Sequence, residues 1–420
     1  DAIGFITPQA YHDAIATNPG RVVQDGDIIY ARGGNVGEVA IAEACGQAIP
    51  SGHIIKIVLK GKKWYVFAFM KHDICKLQQS MQQTGAIKAL DNFKIEYLLT
   101  CKVPFPDQPD AERVERYVSV LMQAIVDKER AIRDRHEMIL KSIDVELGQP
   151  RRDKEFNYSY PMLSEVSTSM RFDTGLYGRG FRAFKHRVDS YRRGSTTLTA
   201  MGTKTRRGPN LAVSVIGRSL YSEDYKAGWY ELIRPVNISE YGTLVHREWL
   251  GNGQKLPTVA RGDLILGCEG FEQGRSIVLI DEPTRTTTNF HGTAIYWPGA
   301  DITQIVWLRC YFAFMRDQGV IDWVGVGGSG GHMSPEYFDF LPIPRFSDDV
   351  KQCIAKLYHS PTSDAAQPTC LSDFVSHHRA RNNTLGIWEL DSDMKALQVE
   401  LATVQEFIIQ GKTIKVSLPD

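Results

Sequence analysis

The chain has no excess of charge of either sign: 49 Lys plus Arg balance 49 Asp plus Glu over 420 residues. That balance excludes a uniformly basic nucleic-acid coat and an acidic tail protein, but not a basic face on an otherwise acidic body. No apolar run approaches the roughly 20 residues that a membrane-spanning helix needs, and no signal-peptide pattern opens the chain, so no membrane partner is expected. The seven cysteines (Cys45, Cys75, Cys101, Cys268, Cys310, Cys353 and Cys370) are scattered and form no CxxC. Neither a disulfide framework nor a zinc site is expected from them, and a reduced, cytoplasmic setting fits best.

Catalytic signatures are missing too. There is no HExxH, no nucleophile elbow and no Asn-Pro-Pro-Tyr tetrapeptide of the kind an amino-methylating enzyme uses. His246-Arg247-Glu248 has the start of a deaminase signature without the Pro-Cys-x-x-Cys that must follow. Gly325-Val326-Gly327-Gly328-Ser329-Gly330 contains GxGxxG, but Ser334-Pro335 allows only a short turn of helix after it, so a flexible loop is expected rather than a dinucleotide site. Gly202-Thr203-Lys204-Thr205 lacks the earlier glycine of a phosphate loop. His136-Glu137 and His377-His378 fall on polar, helix-like segments and are expected at the surface. No catalytic residue, cofactor site or metal site is expected in this chain. At 43% hydrophobic and 23% charged residues, the chain has the composition of a folded protein, and its length suggests two to four domains.

What is present is a long-range repeat. Asp25-Gly26-Asp27-Ile28-Ile29-Tyr30 matches Arg261-Gly262-Asp263-Leu264-Ile265-Leu266. Each is followed by a glycine-rich turn (33–37 and 269–274) and an apolar strand (Val39-Ala40-Ile41 and Ile277-Val278-Leu279-Ile280). Phe67-Ala68-Phe69-Met70-Lys71 then matches Phe312-Ala313-Phe314-Met315-Arg316. Thr84-Gly85 and Ser329-Gly330 come next, and the copies close on Val103-Pro104-Phe105-Pro106 and Leu341-Pro342-Ile343-Pro344. A spacing of about 240 residues means duplicated domains, since solenoid repeats run to about 20–50 residues.

Helix follows each copy. From Pro109 to Leu147 apolar residues recur at Val114, Val118, Leu121, Ile125, Ile132 and Ile139, a heptad seam with Asp110 able to cap its start and Gly148 past its end. Lys128 and Arg135 fall on the seam, so its partner must offer acids or let these side chains reach solvent. Val350–Tyr358 starts a second helix that Pro361 stops; 359–386 is polar and broken. A second seam runs through Leu390, Met394, Leu397, Leu401, Val404 and Ile408 to Gly411. Two rods are most simply satisfied by packing antiparallel on one another; the alternative is that each packs on its own domain.

Charge is concentrated between Arg179 and Arg218. Arg179, Arg182, Lys185, Arg187, Arg192, Arg193, Lys204, Arg206, Arg207 and Arg218 face the single acid Asp189, interleaved with Tyr177, Phe181, Phe184, Tyr191 and many hydroxyls. Such a segment is suited to phosphate contact and to reading guanine edges. A weaker lysine set (Lys56, Lys60, Lys62, Lys63, Lys71) lies in the first copy, where Arg32, Gly33 and Asn35 sit on the glycine turn.

The two repeats, each with a Gly-Asp-Ile/Leu strand, a glycine turn, a Phe-Ala-Phe-Met helix and a Pro-x-Pro ending, each followed by a rod, resemble the specificity subunit of type I restriction-modification systems. The resemblance covers almost the whole chain. It implies a mixed α+β (α/β) fold with two target-recognition domains in tandem, separated by helical spacers that pair as an antiparallel coiled coil. The implied divisions are a distal part of the first recognition domain (1–106), a central spacer (107–149), a second recognition domain (150–345), a distal spacer (346–412, interrupted at 359–386) and a tail (413–420). It implies no catalysis by this chain alone: each domain would read one half of a split duplex DNA site. The spacers would dock methyltransferase subunits, with restriction subunits joining the complex. Those partners would use S-adenosylmethionine, ATP and Mg; this chain would use no cofactor.

The DNA contacts expected on this basis are Arg32, Gly33, Asn35, Lys60, Lys62, Lys63, Arg179, Arg182, Lys185, Arg192, Arg193, Lys204, Arg206, Arg207, Arg218 and Gln273. Glu269 shares the second glycine turn with Gln273. About 25 residues precede the first Gly-Asp strand against about 110 before the second, so the proximal half of the first domain is expected to lie outside this chain. Two other readings remain: the recognition portion of a fused or two-chain, type II-like restriction enzyme-methyltransferase, and a scaffold without DNA contact.

Overall fold

A computed structural model describes residues 7–17, 22–33, 36–43, 48–82, 95–148, 155–327, 331–361 and 367–420. The chain forms two compact units: residues 1–130, 364–383 and 392–420, and residues 131–363 and 384–391.

The first unit opens with α1 (Pro8–Thr17) and a three-stranded antiparallel sheet of β1 (Ile28–Ala31), β2 (Val39–Ile41) and β3 (Ile54–Ile57), in the order β2-β1-β3. It continues through α2 (Lys63–Lys71), α3 (Asp73–Gln82) and α4 (Ile95–Leu99). α2 carries the Phe-Ala-Phe-Met run, and Tyr65, Phe67, Ala68, Phe69 and Met70 are all buried. They share one core with Ile28, Tyr30 and Val39 of the sheet. Then comes α5 (Ala111–Gly148), 38 residues long and roughly 57 Å at 1.5 Å per residue.

The second unit holds α6 (Leu163–Ser169), α7 (Arg179–Asp189), the short α8 (Val213–Ile216), α9 (Ile302–Asp317), α10 (Val320–Val324) and α11 (Asp348–Tyr358). Its strands are β4 (Ser195–Thr196), β5 (Lys204–Arg207), β6 (Leu220–Ser222), β7 (Tyr230–Leu232), β8 (Trp249–Gly251), β9 (Leu264–Gly267), β10 (Ser276–Val278), β11 (Thr286–Thr287), β12 (Gly292–Tyr296) and β13 (Ile343–Pro344). They form the sheets β10-β9-β12-β5, β11-β7-β8-β6 and β13-β4. α9 is buried from Ile305 to Met315, with Trp307, Tyr311, Phe312 and Phe314 closed off from solvent.

The repeat is real at the level of individual hydrogen bonds. In each copy the Gly-Asp strand is the centre of an antiparallel trio, β2-β1-β3 and β10-β9-β12. Gly26 (φ 87°) and Gly262 (φ 84°) take the left-handed backbone that the turn before each strand requires. Gly26 N–H donates to Ala42 O and Gly262 N–H to Leu279 O, at 2.7 and 2.8 Å. The Asp27 and Asp263 carboxylates accept from Gln24 N–H and Ala260 N–H at 2.7 and 2.8 Å. The Tyr65 hydroxyl donates to Pro104 O and the Tyr311 hydroxyl to Pro342 O, at 2.7 and 2.8 Å, tying each Phe-Ala-Phe-Met helix to the same proline of its closing segment. The matched Thr84-Gly85 and Ser329-Gly330 lie outside the described residues.

Past the second copy, α12 (Phe374–Asn382) occupies part of the segment expected to be broken, and α13 (Ile387–Ile409) carries the second seam. Both seams are buried: Val114, Val118, Leu121, Ile125, Ile132 and Ile139 on α5, and Leu390, Leu397, Leu401, Val404 and Ile408 on α13. The pairing is antiparallel. Within the first unit, Gln108 Nε2–H donates to Ile414 O (3.0 Å), the Tyr117 hydroxyl donates to Glu400, and Lys128 reaches Asp393. Within the second unit, Arg135 Nε–H donates to Leu385 O at 3.2 Å.

Of the two cations on the seam, half-buried Arg135 donates to a backbone carbonyl and Lys128 finds an acid. Lys128 is fully buried, with its ammonium 2.9 Å from Asn382 Oδ1 and 3.2 Å from Asp393 Oδ2. Burial pushes the Lys128 pKa down, and Asp393 opposes that shift. Against burial, Arg381 and Lys128 hold the Asp393 carboxyl below its ordinary range.

His136 and His378 are not surface histidines. Burial pushes each down to about 4, assisted by Arg309 and Arg316 around His136 and by Lys128 and His377 around His378.

Candidate nucleic-acid interface

The basic segment 179–218 divides into a neutralised part and a free part. α7 is amphipathic: Phe181, Phe184 and Val188 are buried, and Tyr191 follows them into the core. The aromatics interleaved with the arginines are therefore packing residues rather than stacking platforms for bases. The expectation that Asp189 alone opposes the ten cations is corrected by acids from elsewhere in the second unit. Arg182 pairs with Glu165 at 2.8 Å, Arg187 with Asp144 at 2.9 Å, Arg192 with Glu146 at 3.0 Å, and Lys185 with Asp189 at 2.5 Å. Arg207 pairs with Glu269.

Arg179, Arg193, Lys204 and Arg218 are exposed and have no side-chain partner among the described residues. Arg206 is exposed and donates to the Thr258 carbonyl. Two of these five, Lys204 and Arg206, fall in β5, the edge strand of its sheet, exposed at all four positions from Lys204 to Arg207. β5 pairs only with β12, in the register Lys204↔Tyr296 to Arg207↔Thr293. Alternation puts Lys204 and Arg206 on one face of the strand and Arg207 on the other.

Beyond β5 the backbone closes on a cleft. A Cβ at Gly208 would lie 2.1 Å from Asn289 O, so only glycine lets the end of the strand run against the 289–291 loop. The cleft, about 660 Å³, is lined by Arg234, Glu269, Asn289, His291 and His332 among others. Glu269 is its centre. It is engaged by Arg207 and His291, and lies 3.0 Å from His332 Nδ1. Phe271, on the same turn, is almost fully exposed.

Gln273 is corrected: it is buried, 4% exposed, and fills the space beside Gly325 and Gly331, where a Cβ would meet its amide at 2.6 Å in each case.

In the first unit, Arg32 and Lys60 are exposed. Lys62 pairs with Glu115 at 2.5 Å, Lys63 donates to Gly26 O, Lys56 pairs with Asp27 at 2.7 Å, and Lys71 lies 3.9 Å from Glu129. The expected contacts Lys62 and Lys63 are thus structural ties as the chain stands. Gly33 packs against His53, whose Nδ1 would be 2.5 Å from a Cβ there. Asn35 lies outside the described residues.

The residues that sequence reasoning missed are His53, His291 and His332. None is in a motif, and each reaches its turn from a different strand or loop. The signal that could have found His53 and His291 is their place just before the third strand of each copy.

No protein-family model matches the chain, and no curated protein matches it. Among solved structures it is similar to the type I restriction-modification S subunit from M. genitalium, at 10% identity over 94% of this chain and 84% of that one, with a TM-score of 0.46. A chain from a study of complex assembly and conformational transition of the type I R-M system matches at 10% identity over 93% and 83%, with a TM-score of 0.30. The HsdS subunit from Thermoanaerobacter tengcongensis matches at 12% identity over 93% and 82%, also with a TM-score of 0.30. Among the described residues no helix is long and apolar enough to cross a membrane, and no group of three or more His, Cys, Asp or Glu is placed to hold a metal ion.

Proposed function

We propose that this chain is a sequence-specific DNA-recognition subunit of a restriction-modification assembly, reading a bipartite duplex site and catalysing nothing itself. The observation that carries this reading is the open basic edge strand: Lys204 and Arg206 stand exposed on it without an acidic partner, and Arg207 of the same strand reaches Glu269 of the cleft, with Arg193 and Arg218 also free in the same unit. Unpaired arginines and lysines beside a polar cleft place phosphate contacts, which position, next to groups able to read base edges, which specify. The duplicated hairpin and helix supply two readers of one design, and a bipartite site suits two readers. The antiparallel α5/α13 pair supplies a spacer on which methyltransferase subunits would dock, with restriction subunits joining through them. S-adenosylmethionine, ATP and Mg would belong to those partners.

The test is duplex DNA binding against salt. Six to ten phosphate contacts should lower affinity about 10³–10⁵-fold between 50 and 200 mM salt. Replacing Arg193, Lys204, Arg206 and Arg218 together by Gln should flatten that dependence and weaken binding to every sequence alike. Unchanged binding at equal salt would place the footprint elsewhere, and salt-independent or absent binding would favour a scaffold.

A further inference from the structure

The two copies carry a matched site at the same point of the fold. Counting from the Gly-Asp turn, Arg32 corresponds to Cys268 and Gly33 to Glu269. The backbone confirms the register: Arg32 N–H donates to His53 O and Cys268 N–H donates to His291 O, both at 2.8 Å. The next glycines also close back alike, Gly37 N–H onto Ala31 O at 3.0 Å and Gly274 N–H onto Gly267 O at 2.8 Å. A histidine therefore faces the first turn residue in both copies. In the second copy that residue is Glu269, engaged by His291. In the first it is Gly33, and the imidazole of His53 occupies the space a side chain there would need.

Resting on the DNA-recognition reading, we infer that this matched position is a base-reading site in each copy and that the two copies are tuned to different bases by Glu269 in one and Gly33 with His53 in the other. A carboxylate offers about four lone-pair positions. Glu269 uses up to three, on Arg207, His291 and His332, which leaves at least one, and the residue lines the cleft. A fixed acceptor at a base edge selects an exocyclic amino group, above all the N4 amine of cytosine. Its three basic neighbours fix its direction without spending that acceptor. The first copy has no acid at this point. Arg32 and His53 offer donors, which suit the N7 and O6 acceptors of guanine. The bipartite site should thus be asymmetric, an amino-bearing base in one half and an acceptor-bearing purine in the other.

The experiment is selection from a randomised duplex DNA library with the full chain, run in parallel for the wild type, Glu269→Gln and His53→Ala, with thermal melts of each. Glu269→Gln keeps the shape and two of the same contacts while turning half of the acceptor into a donor. It is expected to abolish the preference for cytosine at one position of one half-site, by about tenfold to a hundredfold, and to leave the other half unchanged. His53→Ala is expected to relax a guanine position in the opposite half only. Enrichment of the same motif by all three proteins, with unchanged melts, would overturn the inference while leaving DNA recognition standing. No enrichment by the wild type at low salt would overturn both.

Discussion

The buried Lys128 ammonium gives the sharpest prediction about the helical pair. It is closed off from solvent and held by Asn382 Oδ1 at 2.9 Å and Asp393 Oδ2 at 3.2 Å, while Asp393 is also gripped by Arg381 at 2.7 Å. Asp393→Ala leaves that ammonium buried without a counter-charge, which costs about 3–5 kcal/mol. Lys128→Met removes the charge and keeps the volume. It leaves Asn382 short of one donor and Asp393 still paired with Arg381, so it should cost only about 1–2 kcal/mol. The double variant should cost less than the sum by about 2–3 kcal/mol, because the unpaired charge is what makes the first substitution expensive. Native-state hydrogen exchange of the amides of residues 111–130, in all four proteins, measures these differences within the first unit. The reasoning fails if Asp393→Ala costs under about 1 kcal/mol, or if Lys128→Met costs more than Asp393→Ala.

Two other consequences are open to measurement. His136 and His378 are pushed from an ordinary 6.5 to about 4 by burial, so between those pH values the unfolded chain takes up protons that the folded chain refuses. Stability should fall as pH drops through that window, by about 1 kcal/mol per histidine at pH 5 once partial exposure is discounted. His136→Gln should flatten the dependence of the melting temperature between pH 7 and 5, and an unchanged slope would refute the assignment. Separately, Cys75 and Cys101 bring their sulfurs within 2.9 Å. Stoichiometric hydrogen peroxide should therefore yield a 75–101 disulfide in peptide mapping ahead of any cross-link involving the exposed Cys353. Sulfinic acid at Cys101 without the cross-link would show that the pair cannot close.

The sequence by itself determined the local regularities. Heptad spacing fixed both seams down to their members, because a 3.6-residue helix can bury only one stripe. The Gly-Asp and Phe-Ala-Phe-Met landmarks marked the duplicated hairpin and helix, because a strand centred in its sheet and a helix closed on all sides both demand runs of apolar residues. Even the misfit on the first seam was readable: Lys128 had to find an acid or reach solvent. Which acid was not, since Asp393 lies 265 residues away and only the antiparallel register brings it near.

The same limit governed the interface. Ten cations against one acid gave a local charge that holds along the chain but not in space, because Asp144, Glu146, Glu165 and Glu269 arrive from other elements and neutralise four of the ten. Gln273 read as a contact because it sits on a glycine turn, yet its side chain is buried against Gly325 and Gly331. His53 and His291 belong to no motif and share only their place before the third strand of each copy; strand pairing set them against Gly33 and Glu269. Periodicity is a property of neighbours along the chain. Charge compensation and convergence on a site depend on distances across it, and those belong to the tertiary structure.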